Sequence, residues 1–171
     1  MIDTATRERT DLLQTLDQHR FFLRNTLREL SDAQIRQRTT VSTLTLGSLI
    51  KHVTAAERQW AGFIADGPSA LGNFESEADL AAHAAQFQLT EADTASALLD
   101  RYAEVAAATD ELVRTLPDLD AEQPLPRAPW FQPGASWSAR RALLHIIAET
   151  AQHAGHADII RESLDGAKSM G

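Results

Sequence analysis

The stretch from residue 137 to 166 constrains the fold of this chain more than any other. It reads WSARRALLHIIAETAQHAGHADIIRESLDG, contains no proline, and repeats apolar residues at the spacing of an α-helix. Ser136 or Ser138 can cap the start of such a helix, and Gly166 stands where a C-terminal glycine would end it. These signals predict one long helix over residues 136–164, with an apolar face that must pack against the rest of the chain.

Four ionisable side chains share the inward face of this predicted helix. At about 100° per residue, His145, Glu149, His153 and His156 fall within roughly an 80° sector. The apolar residues in or beside that sector are Ile146, Ala157, Ile160 and Leu164. Ionisable groups on an inward face are costly unless something pairs them. A bound metal ion would pair them, so we expect another part of the chain to supply a further ligand.

The rest of the chain also reads as helix separated by breakers. Three further long helices are predicted, over residues 3–30, 45–66 and 90–116. Thr45 and Thr90 are suitable N-caps for the second and third of these, and Pro117 ends the third. A shorter helix over residues 77–87 contains His83, to which we assign no role; His19, on the first helix, is likewise expected to leave the metal content unaffected.

A long segment rich in proline, residues 117–135, precedes the last helix. Loops of this length inside a compact domain are often functional. Its Trp130 and Phe131 could cover a pocket, or they could pack on the helices as part of a simple connector. No strand pattern is visible anywhere in the chain. We therefore predict an all-α fold without a sheet, a four-helix bundle in a single domain over residues 1–171.

Composition limits the partners and the chemistry. Hydrophobic residues make up 43% and charged residues 23%, and no apolar run approaches the roughly 20 residues of a membrane span. The N-terminus lacks an apolar signal core, so a cytoplasmic location is expected. The net charge of −8 without a basic stripe argues against nucleic acid and anionic membranes as partners. Because the chain has no cysteine, disulfides and thiolate metal ligands are excluded, and any thiol chemistry would need a thiol from a small molecule.

Helix geometry restricts which of the ionisable residues can share one ion. Positions four apart lie about 6 Å apart along the axis, and positions eight apart about 12 Å. The feasible pairs on the last helix are therefore His145 with Glu149, Glu149 with His153, and His153 with His156. His52, on the flank of the inward face of the second helix, could complete a triad with any of these pairs.

We favour His52, Glu149 and His153 as the metal ligands. Two neutral imidazoles and one carboxylate hold a divalent ion and leave coordination positions open, as catalytic sites do. Zinc or nickel is the first expectation, with iron or manganese as alternatives. His156 and Trp60 are assigned to the surroundings of the metal or to the substrate pocket. The chain has no Glu-x-x-His motif, which argues against a di-iron carboxylate site.

Two blocks of sequence resemble the DinB-like superfamily, also called DinB/YfiT-like. They are LGSLIKHVTAAERQW on the second helix and SWSARRALLHIIAETAQHAGHADIIRE on the last, and the likeness extends over almost the whole chain. The resemblance implies a down-up-up-down four-helix bundle and a divalent metal on His52, Glu149 and His153. Many members of the superfamily have histidine at the position of Glu149. A glutamate there is similar to the mycothiol-dependent maleylpyruvate isomerase branch. His153-Ala-Gly-His156 departs from the usual His-Arg-Gly-Gln, which leaves the role of His156 open.

The resemblance also implies an activity. Characterised relatives are metal-dependent transferases or isomerases that use a thiol such as mycothiol or bacillithiol. A small thiol and an electrophilic small molecule are thus the expected reactants. The alternative is a non-catalytic bundle in which a metal or ligand serves stability, sensing or dimerisation. The sequence leaves the oligomeric state open, with a homodimer as one option.

Overall fold

The computed structural model describes residues 4–72, 74 and 76–169, and this part of the chain is mostly helical. Its helices are α1 (Thr4–Asn25), α2 (Leu46–Asp66), α3 (Glu77–Ala84), α4 (Ala95–Thr115) and α5 (Ala139–Asp165). Short 3₁₀ turns occupy Gln34–Arg36, Pro68–Leu71 and Ala85–Phe87. Two three-residue strands, β1 (Glu122–Pro124) and β2 (Ser136–Ser138), pair in antiparallel fashion. Within the described residues, no helix combines the length and apolar character needed to cross a membrane.

The caps of α2 and α5 form where the sequence predicts them. The hydroxyl of Thr45 accepts a hydrogen bond from the backbone N–H of Ser48, and the hydroxyl of Ser48 accepts one from the N–H of Thr45. Ser138, rather than Ser136, caps α5 by accepting from the N–H of Arg141 at 3.2 Å. Gly166 ends α5 in the left-handed region at φ 80°, where a side chain would be strained.

The first helix ends at Asn25, earlier than the predicted residue 30. From Thr26 onward the backbone forms tighter three-residue turns, and Glu29 has a positive φ of 60°. Arg161 of α5 explains the break, since its guanidinium donates to the carbonyls of Thr26 and Arg28 at 2.9 and 2.8 Å. The predicted start at residue 3 lies outside the described residues.

The prediction of no sheet is wrong. Residues Glu122 and Pro124 pair with Ser138 and Ser136, and the backbone N–H of Leu125 extends the ladder to the carbonyl of Ala135. Strands of three residues are too short to show an alternating pattern, so the sequence carries no signal for them. The pairing closes the proline-rich segment into a long hairpin and delays the start of α5 to residue 139.

Four of the helices pack side by side. Helix α1 lies against α5 and α4, while α2 lies against both α4 and α5. One core cluster includes Leu16, Phe63 and Leu143, and a second includes Leu23 and Tyr102. The contact between α2 and α5 matters most for function, because it brings the second and last helices of the sequence together.

A buried carboxylate ties α2 to the turn before α4. Asp93 is only 2% exposed and accepts hydrogen bonds from Lys51 at 2.9 Å, from the N–H of Thr90 at 2.8 Å, and from Arg101. Burial by itself would raise the pKa of Asp93, but these donors outweigh it and hold the pKa well below its ordinary value. Lys51 also donates to the carbonyl of Gln88, so the network anchors the segment that leads into α4.

Replacing Asp93 with asparagine should lower the free energy of unfolding at pH 7 by about 2 kcal/mol, since charge-assisted hydrogen bonds are lost. The carboxylate stabilises the fold fully above its unfolded pKa, near 3.8, and less as pH falls toward its lower folded pKa. The difference from wild type should therefore shrink below about pH 4. Urea unfolding at several pH values measures it, with Asp100→Asn on the exposed face of α4 as control. A difference that is independent of pH would contradict the assignment.

Candidate metal centre

Three side chains from two helices converge at one point. His52 comes from α2, and Glu149 and His153 come from successive turns of α5. Oε2 of Glu149 lies 3.4 Å from Nε2 of His153 and 3.9 Å from Nε2 of His52. One ligand atom from each residue lies within 4.8 Å of the other two. The structure thus brings together the three residues favoured from the sequence, and their role as metal ligands stays a prediction.

The ring of His52 is held by its neighbours. It stacks on Phe87 with centroids 4.0 Å apart and planes at 17°, and it meets the ring of His153 edge-on at 4.9 Å. Its Nδ1 is buried and has no hydrogen-bond partner within the described ranges. Packing against Phe87, rather than a hydrogen bond to Nδ1, therefore holds the ring with Nε2 toward Glu149.

The donor set suits a divalent ion. Bonds of about 2 Å place neighbouring donors roughly 3–4 Å apart around an ion. The distances from Oε2 of Glu149 to the two imidazoles, 3.4 and 3.9 Å, agree with this spacing, and all three ligand atoms lie within 4.8 Å of one another. Two imidazole nitrogens with one carboxylate oxygen are ligands that zinc, nickel, iron and manganese all accept. The cluster is therefore consistent with a divalent metal.

The electrostatics of the triad favour an ionised carboxylate. The imidazole of His153, and then that of His52, hold the pKa of Glu149 well below its usual range, against the opposing effect of burial. Glu149 lies on the inward face of α5, as the sequence indicates, but 29% of its side chain is exposed. It lies at the wall of a cavity, where the carboxylate is both charged and accessible.

His145 contacts the triad from the other side of Glu149. Its Nε2 lies 3.6 Å from Oε1, whereas His52 and His153 face Oε2. The ring packs edge-on against Trp60, with centroids 4.7 Å apart. Burial lowers the pKa of His145 and so favours the neutral imidazole.

Replacing His145 with alanine should leave the metal stoichiometry unchanged, because the residue lies two turns from His153. It should lower the free energy of unfolding by about 1–2 kcal/mol through lost packing against the nearby rings. Elemental analysis and thermal unfolding of the purified variant measure the two effects. A variant that folds but purifies without metal would place His145 among the ligands.

His156 lies beside His153. Their Nδ1 atoms are 3.3 Å apart, so one ring donates a hydrogen bond and the other accepts it. This contact leaves Nε2 of His153 directed toward Glu149. His156 contacts His153 and is not among the residues that line the cavity beside the triad.

A cavity of about 390 Å³ opens beside the triad. Its lining residues are His52, Ala56, Gln59, Trp60, Leu71, Phe74, His83, Phe87, Trp130, Phe131, His145 and Glu149. Trp60 is therefore a pocket residue, and the proline-rich hairpin contributes Trp130 and Phe131 to the wall.

Sequence reasoning missed His83 and Phe87 as wall residues. They are four positions apart and so share one side of the short helical segment after residue 76, which is the only signal that could have indicated them. We expect His19 to have no effect on the metal content. Its ring contacts Phe22 of α1, and it is not among the residues that line the cavity.

Comparison with known proteins identifies the family. A crystal structure of a conserved protein from Enterococcus faecalis has a similar fold, with a TM-score of 0.65 over 92% of this chain and 97% of that one. At 14% identity, this likeness concerns the fold alone. No curated protein matches the chain. The family model for mycothiol S-transferase, in contrast, matches residues 11–166. The chain therefore belongs to the mycothiol S-transferase family of DinB-like proteins.

Proposed function

We propose that this protein is a metal-dependent transferase that joins a low-molecular-weight thiol, mycothiol or a bacillithiol-like compound, to an electrophilic small molecule. We also propose that residues 1–171 form one DinB-like four-helix bundle domain in the down-up-up-down arrangement. The observation that carries the functional proposal is the convergence of His52, Glu149 and His153 at the wall of a cavity. Membership of a thiol transferase family supports it.

In this proposal, His52, Glu149 and His153 hold a divalent ion, with zinc or nickel ahead of iron or manganese. Such an ion would lower the pKa of a thiol in an open position and so supply a thiolate near neutral pH. The carboxylate of Glu149 balances part of the ion's charge. His156 holds the ring of His153 in place through the contact between their Nδ1 atoms.

The cavity residues position the second reactant. Trp60 and Phe131 form an apolar wall beside the triad and shield that side of the reactants from water. In a substitution, the sulfur–carbon bond forms while the bond to the leaving group breaks, and the leaving group takes the electron pair. The thiol proton passes to solvent, which reaches the partly exposed carboxylate of Glu149.

Metal analysis followed by a conjugation assay tests this function. Freshly purified protein should contain about one divalent ion per chain and should conjugate mycothiol to iodoacetamide or 4-nitrobenzyl chloride, with products identified by mass spectrometry. Chelation should abolish the catalysed rate, and the restored ion should recover it. The variant His153→Ala should fail both assays, whereas His19→Ala should pass both.

Two outcomes would contradict the proposal. Full turnover by metal-free protein would exclude a role for the metal in the reaction. Stoichiometric metal with a coordination sphere closed by a fourth protein ligand, and no turnover, would instead favour a structural or sensing role.

A further inference from the structure

The cavity beside the triad is lined mainly by rings. Of its twelve lining residues, five are phenylalanine or tryptophan and three are histidine. The five are Trp60, Phe74, Phe87, Trp130 and Phe131. The chain is only 6% aromatic, so this concentration on one wall sets the cavity apart from the rest of the molecule.

The rings form a continuous path from the triad to the hairpin. Trp60 lies against His145 and reaches Phe131 with centroids 6.4 Å apart. Phe131 meets Trp130 at 6.1 Å, and Trp130 meets Phe74 at 5.0 Å. These contacts are edge-to-face. One face of Trp60 is stacked on Trp137 and one face of Phe87 on His52, so a planar guest would lie against the remaining faces of the wall. Trp130 is 55% exposed, although an apolar side chain of this size is normally covered.

The same wall lacks a cationic partner for an acidic substituent. Among the described lining residues, none is lysine or arginine. Arg127 lines a second cavity, which shares Phe74 and Phe131 with the first, and Arg141 lies over the ring of Trp137 at 4.3 Å. A carboxylate on the substrate would therefore be buried without a partner on the aromatic wall.

We propose that the electrophile is an uncharged, planar aromatic compound, bound between the rings with its reactive carbon toward the triad. A cavity of about 390 Å³ has room for one or two rings, since roughly 150 Å³ suffices for benzene. A cationic reactant is disfavoured in the metal-loaded protein, because a divalent ion held by one carboxylate would leave the triad with net positive charge. The assignment of the electrophile as a substrate rests on the proposed transferase function. The preference of the cavity for uncharged aromatic compounds does not depend on that function.

Binding of unreactive analogues tests the cavity without any turnover. All three tryptophans of the chain, Trp60, Trp130 and Trp137, belong to this ring cluster, so quenching of their fluorescence reports on it. Metal-free protein should bind 4-nitrotoluene with a Kd at least about tenfold lower than that for 4-nitrobenzoate, because only the latter carries an unpaired charge.

A matched pair of variants assigns the binding to the wall. Phe131→Leu should weaken the binding of 4-nitrotoluene roughly three- to tenfold, the value of one aromatic contact. Phe21→Leu removes an exposed ring of α1 and should leave it unchanged. Equal effects of the two variants, or binding of 4-nitrobenzoate as tight as that of 4-nitrotoluene, would overturn the proposal. Thermal unfolding of both variants checks that they fold.

Turnover separates this inference from the proposed function. With mycothiol and metal-loaded protein, 4-nitrobenzyl chloride should react with a kcat/KM at least about tenfold above that of 4-(chloromethyl)benzoate, after correction for uncatalysed rates. In each reaction, the sulfur–carbon bond forms, chloride leaves with its electron pair and the thiol proton passes to solvent. Faster turnover of the benzoate would overturn the substrate class. No turnover of either compound would overturn the transferase function, while the titrations still decide what the cavity prefers.

Discussion

Replacing His153 with alanine is expected to empty the metal site and to remove the stabilisation that metal binding provides. At a free metal concentration about 1,000 times the Kd, that stabilisation amounts to roughly 4 kcal/mol. His153 is placed to supply one of three donors, and its imidazole is also the largest cause of the low pKa of Glu149. The substitution should therefore also change the pKa of the Glu149 carboxyl.

The pKa of Glu149 should rise in the variant. Burial raises this pKa, and in the variant the imidazole of His153 no longer opposes that effect. A carboxylate with a lowered pKa stabilises the fold above its unfolded pKa, near 4.5, and that contribution disappears as pH falls through the folded pKa. In metal-free protein, acid unfolding of the variant should consequently begin at a higher pH than that of the wild type.

Elemental analysis, thermal unfolding with and without chelator, and acid titration of the metal-free proteins measure these effects. His83→Ala provides a matched control, because His83 lines the same cavity but lies outside the triad. The triad assignment fails if His153→Ala retains metal at full occupancy, or if a metal-bound structure shows His145 on the ion and His153 away from it.

The sequence predicted the triad because helix geometry is rigid. The spacing of Glu149 and His153 fixes both side chains on one face, whatever the rest of the chain does. The apolar stripe of α2 likewise shows which side of the helix packs inward, and His52 flanks that side. The sequence does not show that α2 and α5 are neighbours, so this contact was an assumption. In the structure the two helices pack against each other.

Features that depend on the path of irregular segments were not predictable. The position of Phe87 against His52 depends on how the turn Ala85–Phe87 packs against α2, and the sequence around that turn has little periodicity. The pairing of Glu122 with Ser138 depends on a turn of the intervening prolines, and strands of three residues give no pattern. The early end of α1 depends on Arg161, which is distant in sequence.

A buried ion pair in the core was also invisible to the helical pattern. Arg20 of α1 is 2% exposed, and its guanidinium makes a two-pronged contact with the carboxylate of Glu57 on α2. Its remaining nitrogen donates to Asp110 of α4 at 2.7 Å. From apolar periodicity, an arginine is predicted to lie on the surface. Arg20 instead lies in the core and links α1 to α2 and α4.

Replacing Glu57 with alanine is therefore expected to lower the free energy of unfolding by about 3–5 kcal/mol, because the buried guanidinium of Arg20 loses its main partner. Replacing Arg20 and Glu57 together with leucine should cost much less, since no unpaired charge remains inside the core. Urea unfolding at pH 7 measures both. Glu111→Ala removes a carboxylate from an exposed pair with Arg114 and should change stability by less than about 0.5 kcal/mol. If Glu57→Ala and Glu111→Ala cost the same, the buried pair contributes no more to the fold than a surface contact does.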